Sequence, residues 1–441
     1  MENFFFTARN IEDYLAPMNV VSKKELVDLK AKNLIYNPEV QDFFYKVIKS
    51  QTDNEFWFEM PLSEVIETGL QGVKLDFNFG LRLEIPAGNW RVRISDFVSG
   101  IIFFDKNISD LRLISVEKHY IHWHVELFLD GEKVFNHTFD AAGQSVLIYF
   151  PRIGSGDVFS MLPYIEEFRR RNKCYISVIM DINLRGIVSY LYPQFKQLTE
   201  INSIKHYAIY HLNLPSNFLP IWPADVRNYP MGRLAGLALG MNVIAPKPRF
   251  EPTAMPVTIE PYVCISVQAS MVRKGWLYPN GWDIVVNYLK SLGYRVFCID
   301  RYVECRDDEL ELVNRKPDGA EDFTGNFSLL ERANMIYYAD FFIGLGSGLA
   351  WIADAVNCPV VMICGFSQDW AEFYTPYRVA NRLVCNGCFN DIRYNYMKNI
   401  CPRHKGTPRE FECQKKISPR QVIDAIERLI IDEQLKPPVL N

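Results

Sequence analysis

The chain has 441 residues and a formal net charge of −4, with 49% hydrophobic and 14% aromatic residues. This composition supports a large core in two or three domains and excludes a globally disordered protein. The sequence has neither a long basic run nor a basic leader followed by a long apolar stretch. We therefore expect a cytoplasmic protein that binds no nucleic acid and has no signal peptide or membrane span.

Residues 1–70 are the first segment that the pattern separates. They contain two stretches with helical spacing, Lys23–Leu34 and Val40–Ile48, and no motif that indicates a chemistry. They are therefore predicted to form an N-terminal extension, and the sequence assigns it no role.

Residues 71–145 show the period of two that is typical of strands with one buried face. Leu81–Ile85 and Trp90–Ile94 alternate apolar and charged residues, and the turn-forming run Pro86–Asn89 lies between them. The dipeptide Asp130-Gly131, which suits a type I′ turn, separates a second pair of alternating segments. The segment is thus predicted to be an antiparallel β domain with two hairpins.

At Val146 the pattern changes to that of a parallel α/β sheet. The apolar run Val146–Phe150 is followed by a glycine turn and then by apolar residues at helical spacing. Residues 146–245 are predicted to form one Rossmann-like half. A proline-rich linker follows, and the strand–helix alternation restarts over residues 258–380. The predicted fold class is α/β with two Rossmann-like halves and a ligand in the cleft between them.

The small-residue turn Gly344–Gly348 lies between a predicted strand, Phe341–Gly344, and a predicted helix, Gly348–Val356. The amides of Ser347, Gly348 and Leu349 are then expected at the positive end of the helix dipole, where they can bind a diphosphate. The alternative is a tight strand-to-helix turn without a ligand.

Four cysteines define the predicted metal module, residues 381–415. Cys385 and Cys388 form a Cys-x-x-Cys pair, and Cys401 and Cys413 follow within a short loop-rich stretch. This is the spacing of a tetrahedral thiolate site for zinc or iron, with His404 as the alternative to Cys413 as fourth ligand. Residues 416–441 are predicted to form a C-terminal helix, Pro419–Ile431, and a tail.

The stretch from Asp322 to Gly365 resembles the nucleotide-binding half of ADP-heptose-dependent heptosyltransferases, which have the GT-B fold. The resemblance rests on the order and spacing of an Asp-x-Thr-Gly turn, a Ser-Leu-Leu-Glu helix start, the Ser-Gly turn and a Pro-Val-Val strand. It departs from the family at Gly346, where an acid or amide usually stands. The resemblance implies that these residues bind a sugar nucleotide: Asp322, Phe323, Thr324, Gly325, Gly346, Ser347, Gly348 and Leu349.

Two further residues of this half are candidates for donor binding. The resembling enzymes place a phosphate-binding lysine in the loop after the first strand, where this sequence has Lys274, with Arg273 as the competing cation. Asp300 ends a predicted strand and is expected to accept a hydrogen bond from a ribose hydroxyl, although a helix cap is the competing interpretation.

The segment Gly154–Pro163 resembles the heptosyltransferase segment whose aspartate is the general base. Asp157 matches that aspartate, and an inverting transfer needs such a carboxylate to take the acceptor proton. A plain N-cap is the alternative role, and Asp140 is the competing carboxylate. Asp225 and Arg227 are expected to line the acceptor side.

A heptosyltransferase that combines a β domain with four cysteines resembles the autotransporter adhesin heptosyltransferases. That resemblance implies inverting transfer from ADP-heptose to adhesin serines, one structural Fe³⁺ per subunit (alternatively Zn²⁺) and a homo-oligomer of twelve subunits. Two other functions stay open. One is a glycosyltransferase that modifies lipopolysaccharide or another lipid-linked acceptor. The other is a non-catalytic nucleotide-binding assembly protein.

Overall fold

The computed structural model describes residues 5–7, 61–115, 117–150, 154–212, 226–307, 312–391, 393–394 and 400–440. The predicted helices Lys23–Leu34 and Val40–Ile48 lie outside these ranges. The α-helices of the described residues are α1 Ser155–Asn172, α2 Ile182–Leu191, α3 Met231–Ala238, α4 Gly281–Ser291, α5 Leu329–Tyr337, α6 Gly348–Ala355, α7 Glu412–Lys415 and α8 Pro419–Asp432. None of them is long and apolar enough to cross a membrane.

The strands of the first part are β1 Phe5–Thr7, β2 Lys74–Asn78, β3 Arg82–Ile85, β4 Trp90–Asp96, β5 Ile102–Ile108, β6 Leu111–Ser115, β7 Trp123–Leu129, β8 Glu132–Thr138, β9 Ser145–Tyr149, β10 Tyr175–Ile179, β11 Lys196–Gln197 and β12 Ala208–His211. Those of the second part are β13 Tyr262–Ile265, β14 Arg295–Cys298, β15 Glu304–Asp307, β16 Leu312–Arg315, β17 Glu321–Asp322, β18 Phe341–Leu345, β19 Val360–Ile363 and β20 Arg378–Val379.

The N-terminal half is an eight-stranded sheet in the order β1-β6-β3-β2-β12-β9-β10-β11. Its strands β2, β12, β9, β10 and β11 run parallel, and β3, β6 and β1 add antiparallel pairs at one edge. A separate antiparallel sheet, β5-β4-β7-β8, confirms the predicted β domain. The segment 71–145 therefore contributes to both sheets.

The first predicted hairpin, across Pro86–Asn89, is wrong. β3 pairs with β2 and β6, whereas β4 pairs with β5 and β7. The charged residues of β3 were expected to face water, but Arg82 is buried in a bidentate ion pair with Asp76. The ion pair allows this charged residue of β3 to be buried. Because β3 and β4 belong to different sheets, Pro86–Asn89 connects the two sheets.

The second predicted hairpin is confirmed. β7 and β8 pair from Leu129 opposite Glu132, which leaves a two-residue turn. Both turn residues have positive φ, 52° at Asp130 and 89° at Gly131, as a type I′ turn requires.

The C-terminal half is a six-stranded, all-parallel sheet in the order β17-β14-β13-β18-β19-β20. Its strands are buried on both faces because helices cover them, which explains their continuous apolar runs. The predicted C-terminal helix is confirmed as α8, which packs against α4 and β19. A small antiparallel hairpin, β15–β16, was not predicted.

The two halves are in direct contact. α1 packs against α6, α2 packs against α5, and one hydrophobic core extends across both halves. Residues 241–261 form no helix or strand, as the prolines predicted. This linker is bound on both sides, since the hydroxyl of Tyr190 donates to the carbonyl of Glu251 and the amide of Thr253 donates to Asn334.

Candidate functional site

Asp157 lies at the start of α1, just after β9 reaches its carboxyl edge. Its Oδ2 accepts the amide of Gly154 at 3.1 Å, so the carboxylate caps its own helix. The competing carboxylate, Asp140, precedes β9 and therefore lies at the opposite edge of the sheet. Asp140 is exposed, and its Oδ1 accepts the amide of Ala142. Ligands of such sheets bind at the carboxyl edge, which favours Asp157.

Two glycines let the N-termini of α1 and α6 meet. A Cβ on Gly156 would lie 2.7 Å from Cδ1 of Trp351, and a Cβ on Gly348 would overlap the hydroxyl of Ser155. Both helix dipoles therefore direct their positive ends at the junction between the halves. An anionic ligand is favoured there.

Gly156→Ala tests this junction. The added methyl would collide with the Trp351 ring, which has little room to move, so we expect the halves to separate slightly and kcat to fall about tenfold or more. The matched control is Gly186→Ala in α2, where nothing lies within 4 Å of a new Cβ. That control should keep its activity and gain stability, since alanine favours helices by roughly 1 kcal/mol over glycine. Equal kcat values in Gly156→Ala and Gly186→Ala would refute the importance of the close contact between Gly156 and Trp351.

Charged groups from the C-terminal half act on Asp157. Burial raises the pKa of its carboxyl above the usual value, the positive charge of Lys274 lowers it, and the negative charge of Glu372 raises it. Lys274 ends a short 3₁₀ turn, Val272–Lys274, after β13. The competing cation, Arg273, is buried with its guanidinium 4.6 Å from the centre of the Phe366 ring. Of the two candidate cations, Lys274 is therefore the one whose charge acts on the carboxylate of Asp157.

The turn after β18 has the predicted strand–turn–helix form. Ser347 immediately precedes α6, and its amide donates to the carbonyl of Leu345 at 2.7 Å. That amide is engaged within the turn, so the amides of Gly348 and Leu349 are the better candidates for an anion. Gly346 lies beside the carboxylate of Glu372, whose Oε1 would be 3.1 Å from an added Cβ.

The turn Asp322–Gly325 follows β17 at the same carboxyl edge of the sheet. Oδ1 of Asp322 accepts both the amide and the hydroxyl of Thr324, at 2.9 and 2.6 Å. The Phe323 ring packs 4.4 Å from that of Phe297. Gly325 has a φ of 127°, which an L side chain rarely adopts. The turn is rigid, with Thr324 partly exposed.

Asp300 is buried beneath this edge and was expected to accept from a ribose. Its carboxylate accepts hydrogen bonds from the hydroxyl of Ser266 and from the amides of Val267 and Gln268, at 2.7, 2.7 and 3.3 Å. It is 2% exposed. These contacts indicate a role in fixing the loop after β13, which leads to Lys274, and they do not support direct ribose binding.

Sequence reasoning missed Arg332, which holds the same loops from within α5. Its guanidinium donates to the carbonyls of Phe323, Asp300 and Gly325 and lies 4.5 Å from the centre of the Phe327 ring. An arginine in an amphipathic helix is normally expected at the surface. Nothing in the local pattern distinguishes this one.

The structure gives little support to Asp225 and Arg227 as residues that line the acceptor side. Asp225 lies outside the described residues. Arg227 is buried, and its carbonyl accepts the side-chain amide of Asn390 at 2.8 Å. It thus links the N-terminal half to the cysteine module.

The four cysteines form one mutually interacting group. Cys388, Cys401 and Cys413 are buried and Cys385 is half-buried. Burial, with the neighbouring thiol of Cys385, raises the pKa of Cys388 to about 12. Burial and all three other module thiols raise the pKa of Cys413. The thiols of Cys385 and Cys401 act on those of Cys388 and Cys413, so the four lie in one region of the module, where a metal ion would displace thiol protons.

Polar groups around Cys385 complete the module. Its amide donates to Oε1 of Glu412, and the guanidinium of Arg403 lies 3.3 Å from its sulfur. Among the described residues, the group whose ligand atoms all lie within 4.8 Å of one another is Cys385, His404 and Glu412, and the other three cysteines of the module do not belong to it. Glu412 is engaged by Arg409, however, at 2.6 Å. The module therefore offers a Cys385–His404–Glu412 group that could bind a metal ion, with the other three cysteines in the same region.

If the four cysteines bind the metal, as the sequence predicts, we expect Cys388→Ser to lose bound metal, because one of the four predicted ligands is removed. Metal content should fall well below one ion per chain, and the melting temperature should fall with it. Cys305→Ser is the control, since Cys305 is exposed and lies outside the module. The metal content of the two purified variants tests this prediction. A full metal complement in Cys388→Ser would exclude the four cysteines as the ligand set.

Comparison with known proteins places the chain in a family. Residues 69–131 match the family described as glycosyltransferase TibC, N-terminal domain, and residues 242–396 match glycosyltransferase family 9 (heptosyltransferase). The chain is 39% identical over 389 residues to the autotransporter heptosyltransferase BAHTCr of Citrobacter rodentium, covering 85% of this chain and 93% of that protein. It is 33% identical to BimC of Burkholderia thailandensis, named an inactive autotransporter heptosyltransferase, over 83% and 88% of the two chains.

The solved structure of TibC from enterotoxigenic Escherichia coli, described as an iron-containing dodecameric glycosyltransferase, is also similar. It superposes with a TM-score of 0.79 at 36% identity and covers 85% of this chain and 99% of TibC. A second TibC structure contains ADP-D-β-D-heptose. These similarities extend over most of the chain, and the chain belongs to the autotransporter heptosyltransferase family.

Proposed function

We propose that the chain transfers heptose from ADP-heptose to serine hydroxyls of autotransporter adhesins, with inversion at the anomeric carbon. One observation carries the proposal: Asp157, Lys274 and the start of α6 converge where the two halves meet. A base, a cation and backbone amides are the groups that glycosyl transfer to a hydroxyl requires.

In the proposed reaction the serine hydroxyl gives its proton to Asp157 as its oxygen attacks C1 of the heptose. The bond between C1 and the diphosphate oxygen breaks, and ADP leaves with the electron pair. Lys274 and the amides of Gly348 and Leu349 stabilise the negative charge that develops on the diphosphate. The turn Asp322–Gly325 is expected to contact the nucleotide from the neighbouring strand end.

The cysteine module is proposed to hold a structural iron ion, with zinc as the alternative. The residues that would bind it are Cys385, Cys388, Cys401 and Cys413. When bound, the metal crosslinks the segment and supplies folding free energy. We also propose a cytoplasmic, dodecameric enzyme, by analogy with the dodecameric TibC.

A panel of acceptors tests the proposed function. The purified chain is incubated with ADP-heptose and either an adhesin passenger domain or lipopolysaccharide core, and both acceptors are analysed by mass spectrometry. Heptose on the adhesin alone supports the proposal, and heptose on the lipid alone overturns it. Because the relative BimC is named inactive, a non-catalytic role is the competing account. ADP-heptose binding without transfer or hydrolysis would establish that role.

A further inference from the structure

The carboxylate of Glu372 is buried beside the turn Gly344–Gly348 and has no role in the proposed reaction. Its side chain is 8% exposed. Its Oε1 accepts the hydroxyl of Ser367 at 2.6 Å and would lie 3.1 Å from a Cβ on Gly346. The side chain therefore occupies the space that Gly346 leaves open.

A buried arginine fixes this carboxylate. Arg378, in β20, places a guanidinium nitrogen 3.0 Å from Oε2 of Glu372 and donates to the hydroxyl of Ser367, also at 3.0 Å. Arg378 is 6% exposed, whereas its second acidic partner, Asp369, is 65% exposed. An ion pair this deeply buried is costly to break, so the carboxylate of Glu372 is held in one orientation.

The loop that carries Glu372 is tied to both halves of the protein. The carbonyl of Ala371 accepts the amide of Met231, at the start of α3, at 2.9 Å. The amide of Gln368 donates to the side chain of Asn390, in the cysteine module, at 2.8 Å. Glu372 is thus fixed relative to the N-terminal half, which carries Asp157.

Glu372 and Lys274 have opposite effects on the pKa of Asp157, the proposed base. Arg378 pairs with both Glu372 and Asp369, and the thiol of Cys364 lies beside Gly346. Lys274 belongs to the same half as Glu372, and Asp157 belongs to the other. The two halves meet here, because Gly348, two residues after Gly346, contacts Ser155, two residues before Asp157. Glu372 raises the pKa of Asp157 because the two negative charges repel, and Lys274 lowers it.

We propose that Glu372 is a positioning residue for heptose transfer: a fixed negative charge, seated beside Gly346, that favours retention of the acceptor proton on Asp157. The inference rests on the proposed function, because it requires Asp157 to act as the base. A stronger base accepts the proton more readily in the transition state. Arg378 and Ser367 serve Glu372 by holding it in place.

Glu372→Gln tests the inference, since it removes the charge and keeps the shape. We expect the acid limb of the kcat/KM–pH profile to move down by about half a unit to one unit. The rate at high pH should fall about threefold to tenfold, because Asp157 becomes a weaker base. Asp369→Asn is the matched control: it removes the exposed carboxylate from the same arginine and should leave the profile in place.

An unshifted acid limb in Glu372→Gln, or an equal shift in Asp369→Asn, would overturn the role of Glu372 alone. If Glu372→Gln does not fold, Ser367→Ala replaces it, with a smaller shift expected in the same direction; no shift there overturns the inference. A wild-type protein that binds ADP-heptose but transfers nothing would refute the proposed function, and this inference with it.

Discussion

Asp157→Asn is expected to reduce heptose transfer about 10³-fold or more while ADP-heptose still binds. The amide cannot take the acceptor proton, yet its oxygen can still accept the amide of Gly154, as Asp157 does. Helix α1 should therefore start normally. Rapid mixing of the variant with ADP-heptose and excess adhesin gives the rate of transfer, and calorimetry gives nucleotide affinity.

The pH dependence of stability provides a second readout for Asp157→Asn. The pKa of Asp157 is raised by burial, so this group stabilises the fold below its unfolded pKa and that contribution is lost as the pH rises through the folded pKa. At neutral pH the buried charge costs stability. The Asn variant should therefore melt at the same temperature as the wild type or higher near pH 7, although it is inactive.

Asp140→Asn is the control for this pair of measurements, because Asp140 is exposed at the opposite edge of the sheet. It should transfer heptose at the wild-type rate. Near-normal transfer by Asp157→Asn, or a loss of transfer in Asp140→Asn alone, would assign the base elsewhere.

Lys274→Ala is expected to lower kcat/KM by about 10²-fold to 10³-fold, because the charge developing on the leaving ADP loses its cation. It should also shift the acid limb of the pH profile upward. The lysine lowers the pKa of Asp157, so its removal allows that pKa to rise. This shift is opposite in sign to the one expected for Glu372→Gln.

Lys290→Ala is the matched control for Lys274→Ala, since Lys290 is exposed near the end of α4. Initial rates over a range of pH distinguish the two variants. A Lys274→Ala protein with an unchanged profile and rate would indicate that the lysine does not face Asp157 during the reaction.

The parallel sheets were predictable because their physical signals are local. Strands buried on both faces must be continuously apolar, and Val146–Tyr149 and Val360–Ile363 are. Gly154 and Ser347 then mark the points where helices begin at the carboxyl edges. From these features, the sequence predicts that Asp157 and the turn Gly344–Gly348 each lie at the carboxyl edge of a parallel sheet.

The cysteine module was predictable for a different reason. The spacing of Cys385 and Cys388 suits a turn, and Gly387 between them has the positive φ, 69°, that this turn needs. A sequence shows this pattern without any knowledge of the tertiary contacts.

Residues that function through burial could not be predicted. Arg82, Arg332, Arg378 and Glu372 all have charged side chains, and the default expectation places such residues at the surface. Each is buried because the fold gives it a polar partner that the local pattern does not mark: Asp76 for Arg82, Glu372 for Arg378, and carbonyls of the loops after β14 and β17 for Arg332. The hairpin at Pro86–Asn89 was wrong because β3 pairs with β2 and β6, whereas β4 pairs with β5 and β7. Tertiary contacts decide these features, and local periodicity does not contain them.

Peptide mapping of an adhesin after incubation with the purified chain and ADP-heptose tests the central claim most directly. The account predicts heptose on serine side chains, present with the wild-type protein and absent with Asp157→Asn. An unmodified adhesin, or equal modification by both proteins, would contradict it.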